Sequence, residues 1–164
     1  MIIGVPSEVK TDEYRVAITP AGVRELVAEG HRVLIERGAG LGSSIRDADF
    51  VATGAEMLDN ADDVWASADL VLKVKEPVEP EFARLKARDN QVLFTYLHLA
   101  ASRSCTDALV DAGNVAIAYE TVRTPEKLAE WLERCRAAGM DPVDICWGMQ
   151  VARGQMAVVA HDLP

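Results

Sequence analysis

Three side chains suited to handling a small organic acid stand out in the 164 residues: Arg15 in SEVKTDEYRVAITP, Lys75 directly after LVLKV, and His98 in FTYLHLAAS. A guanidinium grips a carboxylate with two parallel hydrogen bonds, a partly desolvated ammonium polarises a neighbouring carbonyl oxygen, and an imidazole exchanges protons near neutral pH. Together they would serve a 2-oxo or 2-amino acid. Each also has a purely structural role open to it. Arg15 can balance the nearby carboxylates of Glu8, Asp12 and Glu13; Lys75 can be a solvated strand end beside Glu76; His98, between Leu97 and Leu99, can be a core histidine bonded to backbone. What favours a shared site is that each lies after a run of strand character.

Those runs define the elements that must position the three. Ile2 to Val5, Val33 to Ile35, Leu70 to Val74, Val92 to Thr95 and Val115 to Ala118 are apolar without alternation, the pattern of strands covered on both faces. Helical patterns separate them. Thr19 N-caps a helix with Pro20 in its first turn and Val23, Leu26 and Val27 on one face, and Gly30 stops it. Asn60 caps a short helix carrying Val64 and Trp65, a third helix is expected over about Glu79 to Ala87, and a fourth from Ser102 to Gly113 groups Cys105, Ala108, Leu109 and Ala112. Repeated βα units predict an α/β, Rossmann-like parallel sheet with helices on both faces, whose ligands gather at the carboxyl ends of the strands. Residues 1–124 form this lobe. Residues 125–164 read as a helical appendage, with Leu128, Trp131, Leu132 and Cys135 on one stripe and an apolar run from Met156 to Ala160.

Composition excludes several classes. A net charge of −9 leaves no basic face for nucleic acid. Cys105, Cys135 and Cys146 are an odd set without a C-x-x-C pair, which fits a reducing, cytoplasmic compartment. The opening MIIGVPSEVK is not a signal peptide, and no run of 18 apolar residues predicts a membrane span. No His, Cys or acidic residues fall at a metal-ligand spacing, Ser102 and Ser104 read as capping residues, and neither His31 nor His161 carries a site. Residues 38–43, GAGLGS, approach the dinucleotide fingerprint G-x-G-x-x-G, but Ser43 takes the sixth position and no amphipathic helix follows at once. The segment is read as a glycine-rich turn.

The blocks GVPSEVKTDEYRVAITPAGVRELVAEGHRVLIERGAGLGSSIRDADFVATGAEM, ADLVLKVKEP, LFTYLHLAAS, CTDALVDAG and AIAYETV closely resemble the N-terminal substrate domain of the alanine dehydrogenase and transhydrogenase family, from Met1 to about Arg123. The transhydrogenase branch normally lacks the lysine of KVKEP and the histidine of LHLA, so Lys75 and His98 favour the dehydrogenase branch. The resemblance implies oxidation of L-alanine to pyruvate and ammonia with NAD, and the reverse. It implies that Arg15 and Lys75 bind the substrate carboxylate and carbonyl oxygen, that His98 is the acid/base, and that Glu8 orients Arg15. It also implies a homo-oligomer.

Beyond Arg123 the resemblance stops. The family continues into a Rossmann domain that holds NAD, and residues 124–164 resemble none of it. Without that domain the proximity of hydride donor and acceptor, worth roughly 7 to 11 kcal/mol in favourable cases, is missing, so negligible hydride transfer and no tight NAD binding are expected of this chain alone. Three readings follow: a dehydrogenase polypeptide carrying the substrate half-site, served by an NAD domain in trans; a non-enzymatic module that binds pyruvate or alanine or joins an oligomer; and a remnant whose tail covers bared surface.

Overall fold

The computed structural model describes residues 1–121 together with the isolated positions Glu133 and Ala137; apart from those two, the expected appendage over 125–164, with its Leu128, Trp131, Leu132 and Cys135 stripe, lies outside the described residues. Six strands alternate with helices: β1 (Ile2–Val5), α1 (Pro20–Ala28), β2 (Arg32–Glu36), α2 (Asp47–Val51), β3 (Glu56–Leu58), α3 (Ala61–Ser67), β4 (Leu70–Leu72), β5 (Val92–Thr95), α4 (Arg103–Ala112) and β6 (Val115–Ala118). The strands form one sheet in the order β3-β2-β1-β4-β5-β6, and every pairing is parallel. The chain winds outward from β1 in one direction, then returns to β1's other side with β4. The carboxyl ends of β1 and β4 therefore flank the switch point where a crevice opens.

Both faces of the sheet are buried. Successive strand residues point to opposite faces, and in β4 Val71 joins a cluster with Trp65, Leu93, Cys105 and Leu109, whereas Leu72 packs against one built from Val5, Val23, Ile35 and Phe50. Helices α3 and α4 cover the first face and α1 and α2 the second. Trp65 and Phe50 are fully buried. Each contributes on the order of 1.5–3 kcal/mol of hydrophobic free energy.

The expected caps are present. Thr19 Oγ1 accepts from Gly22 N at 3.2 Å, Asn60 Oδ1 from Asp63 N at 2.8 Å, and Ser102 Oγ from Cys105 N at 3.3 Å, while Gly30 and Gly113 end their helices at φ +82° and +69°. Three local readings need correction. The sheet has a sixth strand, β3, three residues long at an edge and too polar at Glu56 to read as a strand. A five-residue helix, α2, follows the glycine turn, with Phe50 driven into the core. The helix expected over 79–87 is instead two 3-10 turns, Glu79–Glu81 and Arg84–Lys86. Glu81 is the cause: its carboxylate is drawn inward to Lys73 while also accepting from Val78 N at 3.1 Å, and tight winding meets both demands.

Candidate functional site

The expected rim exists: Arg15 lies beyond β1, Lys75 beyond β4 and His98 beyond β5, all past the carboxyl ends of adjacent strands. Lys75 sits with its Nζ 5.8 Å from the centre of the Tyr96 ring, a cation–π contact. His98 stacks on the same Tyr96, with ring centres 5.4 Å apart and planes at 17°. Tyr119 meets Tyr96 edge-on at 4.3 Å and, with Arg15, Val16, Lys73 and Phe94, lines a cavity of about 460 Å³. Lys75 and His98 stand beside that cavity, joined to it through the two tyrosines.

Arg15 is not idle. Its Nε and Nη2 donate to the two oxygens of Glu13 at 2.8 and 2.6 Å, and its backbone N–H donates to Glu13 Oε1 at 2.9 Å. That guanidinium pulls the Glu13 carboxyl down to about 2; burial opposes the shift, and the Lys75 ammonium adds to it.

Beneath the rim lies a buried ion cluster that sequence reasoning missed. Lys73, completely buried, donates to Glu8 Oε2 at 3.0 Å and pairs with Glu81 Oε1 at 2.8 Å; the side chains of both carboxylates are at most 2% exposed. Burial pushes the Glu81 carboxyl above its ordinary value, outweighing the pull of the Lys73 ammonium. Glu8 also accepts the backbone N–H of Val74 at 2.6 Å and of Lys75 at 3.3 Å, while Thr95 Oγ1 donates to the Lys75 carbonyl at 2.9 Å and Tyr119 Oη to the Val74 carbonyl at 2.9 Å. The role expected of Glu8 is corrected accordingly. Its oxygens are taken by Lys73, Val74 and Lys75, just past β4, so it braces the backbone of Lys75, and the carboxylate paired with Arg15 is Glu13.

His98 is held just as firmly. Its backbone lies at φ +47°, ψ +39°, a left-handed conformation that costs a non-glycine residue on the order of 1–3 kcal/mol. Glu120 Oε1 secures it by accepting from the N–H of both Leu97 and His98, each at 3.0 Å. The ring Nδ1 lies 3.2 Å from Glu76 Oε2, and the other oxygen of Glu76 receives the Lys10 ammonium.

The sequence profile of the family described as alanine dehydrogenase/PNT, N-terminal domain, matches residues 4–132. The chain belongs to that family. Alanine dehydrogenase of Mycobacterium tuberculosis (strain CDC 1551 / Oshkosh) is 63% identical over 126 residues, 77% of this chain and 33% of the relative. That of Methanococcus maripaludis is 53% identical over 127 residues, again 77% of this chain and 34% of the relative. A solved L-alanine dehydrogenase superposes with a TM-score of 0.73 at 48% identity, over 77% of this chain and 34% of that one. A transhydrogenase from Sinorhizobium meliloti superposes at 0.70 and 29% identity, over 77% and 36%. The chain thus spans about a third of the length of the alanine dehydrogenases it matches.

The glycine turn of this family member is a packing device. A Cβ on Gly42 would lie 2.4 Å from the Tyr14 carbonyl oxygen, and one on Gly40 would lie 2.7 Å from both the Ile45 carbonyl and the Phe50 ring. Only glycine fits at these two positions, and the 3-10 turn Leu41–Ser43 presents no α-helix N-terminus of the kind the dinucleotide fingerprint uses. Among the described residues no three His, Cys, Asp or Glu side chains could hold a metal ion, and no helix is long and apolar enough to cross a membrane.

Of the candidate residues, Arg15, Lys75 and His98 were readable from their places at strand ends. Lys73, Glu76, Glu120, Tyr96 and Tyr119 were not. Lys73 did leave a signal, a lysine inside the apolar run LVLKV, since a charge there must be solvated or paired.

Proposed function

We propose that this chain is the substrate half-site of an alanine dehydrogenase, binding pyruvate and L-alanine. Arg15 takes the carboxylate, Lys75 polarises the carbonyl oxygen, and His98 exchanges a proton at that oxygen. The observation that carries the reading is that Arg15, Lys75 and His98 follow the carboxyl ends of three adjacent strands, with Lys75 and His98 on the same Tyr96 ring. Arg15 would exchange Glu13 for the substrate carboxylate, keeping the same bidentate geometry on the guanidinium. NAD, on this reading, is held by a further domain, supplied by more chain or by a separate polypeptide, and assembly into a homo-oligomer would bring such domains close. The free, buried Cys105 suits a reducing, cytoplasmic setting.

Calorimetric titration of the full chain with pyruvate tests the reading: binding should be measurable, and Arg15→Ala and Lys75→Ala should each weaken it by about tenfold or more. No heat of binding, or binding indifferent to both substitutions, would overturn it. A second reading, a module that binds the acid without chemistry, draws on the closed glycine turn. Alanine-dependent NAD reduction on adding a separately produced NAD domain favours the enzyme, whereas pyruvate binding without turnover favours the module.

A further inference from the structure

The imidazole of His98 can exchange a proton through only one nitrogen once the other is engaged, and the surrounding charges determine which. Nδ1 faces Glu76 Oε2 at 3.2 Å. Glu76 is itself fixed: its side chain is only 10% exposed, and its Oε1 accepts the Lys10 ammonium. Burial pushes the Glu76 carboxyl up, but the hydrogen bonds from Lys10, from a backbone N–H and from His98 outweigh it and hold the group below the usual carboxylate range. An ionised carboxylate has no proton to give. The 3.2 Å contact is therefore a hydrogen bond only if Nδ1 carries the hydrogen.

We propose that Glu76 is a positioning residue that fixes His98 as the Nδ1–H tautomer, leaving Nε2 as the nitrogen that trades a proton with the substrate. This rests on the reading of His98 as the acid/base given above. The placement follows from the chain: Glu76 is the residue after Lys75, so the lysine on the carbonyl oxygen and the carboxylate that sets the histidine leave β4 together. Three further contacts reduce the ring's freedom to flip. Tyr96 stacks on its face, Glu120 pins the His98 backbone, and Lys10 keeps the Glu76 carboxylate from rotating away. The His98 side chain itself is 42% exposed.

Long-range proton–nitrogen correlation of the nitrogen-labelled full chain, at a pH well above the ordinary histidine range, reads the tautomer directly; His98→Gln assigns the signals against His31 and His161. The Nδ1–H form of His98 should exceed the Nε2–H form by about tenfold or more, as one charge-assisted hydrogen bond dictates. In Glu76→Gln, whose amide can donate as well as accept, that excess should collapse to a mixture. A wild-type ring in the Nε2–H form, or an excess unchanged in a folded Glu76→Gln, overturns the proposal; should Glu76→Gln not fold, the wild-type ratio alone decides. Neither measurement needs a ligand, so failure of pyruvate to bind would remove the functional reading and leave the tautomer result standing.

Discussion

Replacing Lys73 by Met is the most demanding test of how the rim is supported. Lys73 Nζ lies 3.0 Å from Glu8 and 2.8 Å from Glu81, and none of the three side chains is more than 2% exposed. Without the ammonium, two carboxylates share a dry pocket and one must take a proton. Glu81, already displaced upward by burial, is that group. Keeping a carboxyl protonated at pH 7 when its unfolded value is 4.5 costs roughly 3.4 kcal/mol, at 1.36 kcal/mol for each pH unit, which falls within the roughly 3–5 kcal/mol found when one partner of a buried pair is removed. The sign follows from linkage. A carboxyl whose folded value is raised contributes stability below about pH 4.5 and loses it as pH rises through the folded value. Urea unfolding followed by circular dichroism should therefore show Lys73→Met weaker than wild type by about 3–5 kcal/mol at pH 7, with most of that loss recovered by pH 5. Adding Glu81→Gln to Lys73→Met should flatten the pH dependence. A loss under about 1 kcal/mol at pH 7, or one that grows on acidification, would refute the ion-cluster account.

Two further predictions concern the Arg15 loop. Glu13→Gln removes the carboxylate that now occupies the guanidinium, so pyruvate should bind more tightly, by up to about fivefold, in calorimetry; weaker binding would mean that Glu13 holds Arg15 in its working pose rather than competing for it. Gly42→Ala places a methyl group 2.4 Å from the Tyr14 carbonyl, so it should cost about 1–3 kcal/mol in denaturant unfolding and also weaken pyruvate binding by shifting the adjoining Arg15. Gly113→Ala, strained only by its φ of +69°, should cost about 1 kcal/mol and leave binding unchanged.

Most of the architecture was legible because it is local. Unalternating apolar runs, Thr19, Asn60 and Ser102 at helix starts, and Gly30 and Gly113 at helix ends each declare themselves within a few residues. The strand-end rule then places Arg15, Lys75 and His98 on one edge. The errors arose where tertiary demands overrode local pattern: β3 is a strand because β2 offers it an edge, and residues 79–87 wind tightly because Glu81 must reach Lys73.

The partnerships of charge depend on the fold. Glu8 is 65 residues from Lys73, and Glu76 is 22 from His98, distances at which neither periodicity nor propensity carries information. Residue types and spacing determined that Arg15, Lys75 and His98 follow the strand ends of a parallel sheet. Only the packed structure decided that Glu8 braces Lys75 and that Glu76 faces His98, because each pairing depends on which loops meet beyond the strand ends. Coulomb and hydrogen-bond energies act across space, and the chain reveals that space only once it has folded.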